Sequence, residues 1–306
     1  MIIKFYSYDL ELKDTFTISH GSRNFQPTLI VAITNEGYTG YGEAAATSYY
    51  GVNTEKMQKD IFDLEPLISE NINKSPEKIW ELTWPKLKEN PFAQSALDIA
   101  LHDLNGKRNK VPLYRMWDLK LKSIPLTNYT IGLDSIEKMV QKIQNFPWPI
   151  YKIKLGTKND IKIVKKLRKH TNSVFRVDAN AAWTSKQAII NARALKKLGV
   201  EFLEQPLKPD DWRGMEKLYA KSVLPIIADE SCIEEKDVKK CAHYFHGINI
   251  KLSKCGGLTP GRRMILEARS LGLKVMVGCM TESTVGISAI AQLLPLLDYV
   301  DMDGGL

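Results

Sequence analysis

Cysteine is scarce in this 306-residue chain. Its four cysteines, Cys232, Cys241, Cys255 and Cys279, lack the paired spacings of a zinc site or a disulfide framework. A reduced, cytoplasmic protein is the expectation. Histidine is nearly as scarce, at five. His243 and His246 have helical spacing but no third partner, so they read as solvated or packing residues rather than metal ligands. No apolar run approaches the roughly 20 residues of a membrane span. The start, Met1-Ile2-Ile3-Lys4-Phe5, is too short and too early charged for a signal peptide. No glycine-rich phosphate loop follows an early strand, which disfavours an open, doubly wound nucleotide-binding sheet. The net charge of +8 comes from scattered lysines, with no basic stripe of interleaved aromatics, so nucleic acid is not the expected partner.

Against these absences stand three isolated carboxylates, each closing an apolar run. They are Asp178 in Val174-Phe175-Arg176-Val177-Asp178, Glu204 in Val200-Glu201-Phe202-Leu203-Glu204, and Asp229 in Pro225-Ile226-Ile227-Ala228-Asp229. From 178 to 204 is 26 positions and from 204 to 229 is 25, about one strand, one helix and two loops. Carboxylates at the C-terminal tips of three successive parallel strands converge on one point as hard oxygen ligands. The pattern proposes a barrel, a divalent cation and an active-site face together.

The chain divides into two styles. Residues 1–118 read as an α+β lobe. Strands are expected at 2–6 and 28–34, then a turn at Asn35-Glu36-Gly37 and an extended segment at 38–43. Helices open at Asn53 and at Ser75-Pro76, and a third runs through 92–104 and ends at Gly106. Residues 119–306 alternate strand and helix. Apolar runs near 124–131, 149–155, 173–178, 200–204, 223–229, 247–252, 273–279 and 297–301 make eight units, the number that closes a parallel (β/α) barrel.

Lysines mark two more tips. In Tyr151-Lys152-Ile153-Lys154-Leu155, alternation puts Lys152 and Lys154 on the interior side. Two close ammonium groups repel, which predicts a lowered pKa for one of them. On the sixth unit, Ile248-Asn249-Ile250-Lys251 precedes Lys254 and Gly256-Gly257. The second and sixth strands of a barrel face each other across its diameter. Lys154 and Lys251 then flank a metal-held substrate, one removing a proton and the other returning it.

Lys-x-Lys, the Asp-Glu-Asp series and Lys-x-x-Lys-x-Gly-Gly together resemble the enolase superfamily, and within it the muconate lactonizing enzyme subgroup. The resemblance implies a modified (β/α)7β barrel capped by the N-terminal lobe. It also implies one magnesium ion on Asp178, Glu204 and Asp229, a lysine base with an enolate intermediate, and barrels that commonly assemble, so a homo-oligomer is compatible. Asp301-Met302-Asp303 resembles the Asp-x-Asp with which dipeptide epimerases hold a substrate ammonium, and strand alternation puts both carboxylates on one side. The implied reaction is two-base 1,1-proton transfer at the Cα of the C-terminal residue of an Ala-Glu-like dipeptide. Thr130 matches a position contacting the substrate carboxylate. Arg23, in the loop after Thr17-Ile18-Ser19-His20-Gly21, can hold a terminal or side-chain carboxylate. Cys279 marks the seventh tip, where its backbone lines the pocket, and Glu282 resembles a family position without an assigned role. Another subgroup activity (N-acylamino acid racemase, o-succinylbenzoate synthase or cycloisomerase) or a non-catalytic metal-binding barrel stays open. Relatives usually run past the equivalent of Gly304-Gly305-Leu306 to complete the cap, so an abbreviated cap or a truncated sequence is expected.

Overall fold

The computed structural model describes residues 1–18 and 21–306. Strands β1 (Ile2–Ile18), β2 (Gly21–Asn35) and β3 (Tyr38–Ala45) form an antiparallel sheet in that order. Glu36 and Gly37 join β2 to β3 with positive φ at both (52° and 79°), as a two-residue hairpin requires. The first two strands are far longer than the expected windows. Their distal halves pair through the backbone ladder, Asp9 with Pro27 and Glu11 with Phe25, and are mostly exposed, so no burial pattern announces them.

Helices α1 (Thr54–Phe62), α2 (Glu65–Asn71), α3 (Pro76–Leu87), α4 (Pro91–Asn109) and α5 (Leu113–Met116) complete the lobe. Asn53 and Ser75 cap α1 and α3 by accepting from the backbone N–H groups of Lys56 and Lys78. Helix α4 is buried on almost every side and lies directly on β3. The approach requires glycine: a Cβ on Gly40 would lie 2.2 Å from the Ala100 carbonyl oxygen, and one on Gly42 2.0 Å from that of Ala96. The helix does not stop at Gly106. That residue is buried inside it, and the chain turns at Lys110, at φ 55°. Packing of α4 overrides the local breaker.

Eight parallel strands follow: β4 (Tyr129–Ile131), β5 (Ile150–Lys154), β6 (Val174–Asp178), β7 (Val200–Glu204), β8 (Ile226–Ala228), β9 (Gly247–Ile250), β10 (Lys274–Gly278) and β11 (Tyr299–Asp301). They pair in sequence order, and a parallel bridge from Thr127 to Val300 nearly closes the ring. Helices α6 (Ile136–Asn145), α7 (Asp160–Leu167), α8 (Ser185–Lys196), α9 (Trp212–Tyr219), α10 (Glu235–Cys241), the short α11 (Leu252–Cys255), α12 (Leu258–Ser270) and α13 (Thr284–Ala291) fill the seven connections. This is the expected (β/α)7β barrel under an N-terminal α+β lobe.

Alternation divides each strand. Ile153, Phe175, Val177, Leu203, Ile248 and Val277 face outward into the core shared with the helices. Inside, Phe202, Ile227, Met276 and Tyr299 make a small apolar plug. Two residues beyond Phe202, Ile227 and Tyr299 stand Glu204, Asp229 and Asp301, with Gly278 beyond Met276, so a charged layer rests on this plug. The lobe is keyed to the barrel by buried Glu43, which accepts from Ser283 N (2.9 Å) and Gly286 N (2.8 Å) at the start of α13.

Candidate active site

The carboxylates at the ends of β6 and β7 and just past β8 meet. Asp178, Glu204 and Asp229 are buried, and each offers an oxygen within 4.8 Å of the others. Ladder pairing of Lys154 with Asp178, and of Asp178 with Glu204, brings neighbouring tips level. Gln205 helps to hold the geometry. At φ 32° it is in the strained left-handed region, and its side-chain oxygen accepts from Asp229 N and Ser231 N, both at 3.0 Å. An oxygen-only cluster of three anions fits a hard divalent cation.

The lysines surround this cluster. Lys154 Nζ reaches Asp178 Oδ2 at 2.7 Å. Lys251 Nζ reaches Asp229 Oδ2 at 2.8 Å, and Lys254 Nζ reaches Asp229 Oδ1 at 2.6 Å. Lys152 Nζ bridges Asp178 (3.1 Å), Glu204 (2.9 Å) and Asp301 (2.8 Å). Burial opposes charge on all of these groups, yet Lys251 and Lys254 hold Asp229 well below the usual carboxylate range. Lys154 and Lys152 do the same for Asp178, whereas burial keeps Glu204 raised. The lowered pKa expected of one of Lys152 and Lys154 is not carried by Lys152. Against desolvation, Asp301 and Glu204 raise Lys152 far above its ordinary value, and Asp229 raises Lys251. Interleaved carboxylates outweigh the ammonium repulsion on which that expectation rested.

A cavity of about 740 Å³ opens above the layer, lined from the barrel by Lys152, Lys154, Lys251, Asp301 and Asp303 and from the lobe by Arg23, Tyr49 and Tyr50. The two aspartates differ. Asp301 accepts from Asn128 Nδ2 (2.7 Å) and Lys152 Nζ (2.8 Å), and despite burial Lys152 lowers its pKa. Asp303 accepts from Thr130 N at 2.5 Å, and burial beside Asp301 pushes its pKa up to about 7. The Cys279 thiol clusters within 4.8 Å of both, and burial raises it well above the ordinary thiol value. Thr130, Cys279 and Arg23 all line the cavity. Arg23 belongs to strand β2 and pairs with Phe16, not to a loop as expected. Its Nη2 donates to Thr281 Oγ1 at 2.9 Å, and its guanidinium lies over the Phe16 ring. The extended ribbon, rather than a loop, carries it over the barrel mouth. His246 accepts from Ile226 N through Nδ1 at 3.2 Å and packs on Tyr219, a structural role as expected.

Several contributors escaped sequence reasoning. Asn249 donates to Glu204 Oε1 at 2.8 Å; its place two residues before Lys251 in one extended run was the available signal. Asn128 precedes its strand and had none. Glu230, beside Asp229, is buried and raised to about 7 by desolvation and then by Asp229. Glu282, which the sequence singled out without a role, accepts from Ser253 Oγ at 3.1 Å and is raised to about 8 by burial and then by Glu43.

A family model described as the mandelate racemase / muconate lactonizing enzyme N-terminal domain matches residues 4–117, and one described as enolase C-terminal domain-like matches residues 134–301. An L-Ala-D/L-amino acid epimerase of Flavobacterium johnsoniae is 57% identical over 98% of this chain and 89% of its own length. Another, from a Maribacter species, is 56% identical over all of this chain and 90% of its own. Among solved structures, a dipeptide epimerase of Enterococcus faecalis complexed with Mg and L-Leu-L-Tyr superposes with a TM-score of 0.91 at 32% identity, covering 99% of this chain and 89% of that one.

Proposed function

The chain belongs to the mandelate racemase and muconate lactonizing enzyme family of the enolase superfamily, and we propose that it is a magnesium-dependent dipeptide epimerase acting at the Cα of the C-terminal residue. The observation that carries this reading is the placement of two lysines on different carboxylates of one cluster, Lys154 on Asp178 and Lys251 on Asp229, below a cavity that also holds an aspartate pair.

The chain's own residues have these roles. Asp303, with Asp301 beside it, receives the substrate's ammonium; a charge-assisted pair in a buried setting selects a free N-terminus. Thr130 and Cys279 shape the same wall, and Arg23 faces the carboxylates of the substrate. Lys154 takes the α-proton from one face, and Lys251 returns a proton to the other. Lys152 stays an ammonium, tying the metal carboxylates to Asp301. Asp178, Glu204 and Asp229 would hold the magnesium, which would supply positive charge against the charge that develops as Cα loses its proton. The cavity suits a small-molecule partner. Among the described residues no helix is long and apolar enough to cross a membrane. All four cysteines are free, which suits a reducing cytoplasm.

The test is deuterium incorporation. With magnesium in heavy water, L-Ala-L-Glu and related dipeptides gain deuterium at the C-terminal Cα as the D-epimer appears. A dipeptide panel without exchange overturns the reading. Turnover of N-succinyl amino acids but of no free dipeptide moves the protein to the racemase branch.

A further inference from the structure

Helix α12 begins without a cap of its own. Its N-cap residue is Gly257, at φ 118°, and no side chain of the helix or of the residue before it closes its first turn. The cap comes from the other lobe. Asp98, fully buried on α4, accepts from Thr259 N at 2.9 Å through Oδ2 and from Thr259 Oγ1 at 2.7 Å through Oδ1. His102, one turn further along α4, meets Thr259 Oγ1 at 3.0 Å. Trp80 Nε1, on α3, donates to Gly256 O at 2.8 Å. The fit admits no side chain, because a Cβ on Gly257 would lie 2.4 Å from Asp98 Oδ2. A carboxylate at this point also faces the positive end of a 13-residue helix.

What precedes this joint gives it meaning. Lys251 is the N-cap of α11, Lys254 lies within that helix, and only Gly256 and Gly257, both at positive φ, separate α11 from α12. Two consecutive glycines make a loose hinge unless its far side is held. The near side is held by the amines of Lys251 and Lys254 on Asp229, and the far side by the N-terminal lobe. The geometry points to Asp98 as a positioning residue: through Thr259 and the Gly256–Gly257 joint it sets the placement of the Lys251 amine. The inference deepens the epimerase reading and rests on it for its consequence in turnover. It makes the lobe part of the base that serves one face of Cα, while Lys154, on strand β5, has no such dependence.

Two measurements on full-length Asp98→Ala and Asp98→Asn test it. The first is amide hydrogen exchange, which does not depend on activity. Asp98→Ala should speed exchange over residues 251–261 at least tenfold and leave 150–156 unchanged; Asp98→Asn, which keeps an acceptor, should fall between. Unchanged exchange, or an equal rise at both segments, overturns the proposal. The second is α-deuterium exchange from each epimer separately. Lys251→Ala identifies the epimer whose proton Lys251 removes. Asp98→Ala should slow that epimer at least tenfold more than the other, with KM little changed. Equal slowing of both epimers is what general destabilisation would give, and overturns the positioning role. If Asp98→Ala does not fold, Thr259→Val removes only the hydroxyl contact and should show the same bias at about threefold; its absence there overturns the proposal equally. A wild-type protein that exchanges neither epimer defeats the epimerase reading, and the amide exchange alone then decides the positioning.

Discussion

Glu282 illustrates how burial decides a residue's proton. Desolvation, then Glu43, pushes its carboxyl from 4.5 up to about 8. Between those two values the folded protein holds a proton that the unfolded chain has released, so stability falls as pH rises across that window, by at most about 1.4 kcal/mol per pH unit. Glu282→Gln should flatten this slope: less of its stability is lost between pH 5 and pH 8 in urea unfolding, and parallel curves for the two proteins would refute the assignment. Asp303 offers a functional counterpart. A charged hydrogen bond contributes about 1.5–3 kcal/mol, so Asp303→Asn should raise KM for a free dipeptide about tenfold to a hundredfold and leave an N-acetylated analogue nearly unaffected. Steady-state kinetics with both substrates decides it. The residues of this layer were unequally legible. Asp178, Glu204, Asp229, Lys154 and Lys251 were visible because each stands at the end of an apolar run in the sequence. Asn128 was not, because its meaning comes only from Asp301, 173 residues away. The raised lysine pKa values were invisible for the same reason: they depend on which carboxylate of another strand lies beside each amine.

Local chemistry wrote the element boundaries wherever a cap was close in sequence. Thr184 accepts from Gln187 N, and the Gln187 side chain returns a bond to Thr184 N, a complete capping box at the start of α8. Thr184→Ala should cost about 1 kcal/mol in thermal or urea unfolding without changing turnover. A large loss of kcat would mean that this helix start does more than cap. Where packing governs, the local signal misleads. Gly106 reads as a helix stop, yet α4 continues through it because β3, α3 and α11 enclose the helix. The same enclosure makes Gly42→Ala severe: the added Cβ meets a backbone oxygen at 2.0 Å, and neither element can yield. Loss of soluble protein is the expected outcome on expression; a variant with wild-type melting behaviour would show that the sheet–helix contact is not tight.

For the whole molecule, cation binding should couple to stability. Three buried carboxylates on adjacent strands join β6, β7 and β8 at their tips, so a bound divalent ion stabilises the folded barrel by mass action. The gain is about 2.7 kcal/mol at a hundredfold excess over Kd. Calorimetry with EDTA and then with saturating magnesium should show the melting temperature rise by several degrees, and turnover should vanish with chelation and return with magnesium. Asp229→Asn should abolish the shift.

By itself the sequence determined the alternation of strands and helices, the side of each strand that turns inward, and the series of charged tips. These follow from side-chain periods of 2 and 3.6 residues, which are properties of neighbouring positions. Only the tertiary structure decided which lysine meets which carboxylate, that Arg23 rides on an extended ribbon over the mouth, and that Asp98 of one lobe closes a helix of the other. Those contacts join residues up to 258 positions apart. They exist only once the ring of strands has nearly closed and the lobe has docked, because chain separation carries no information about distance until packing supplies it.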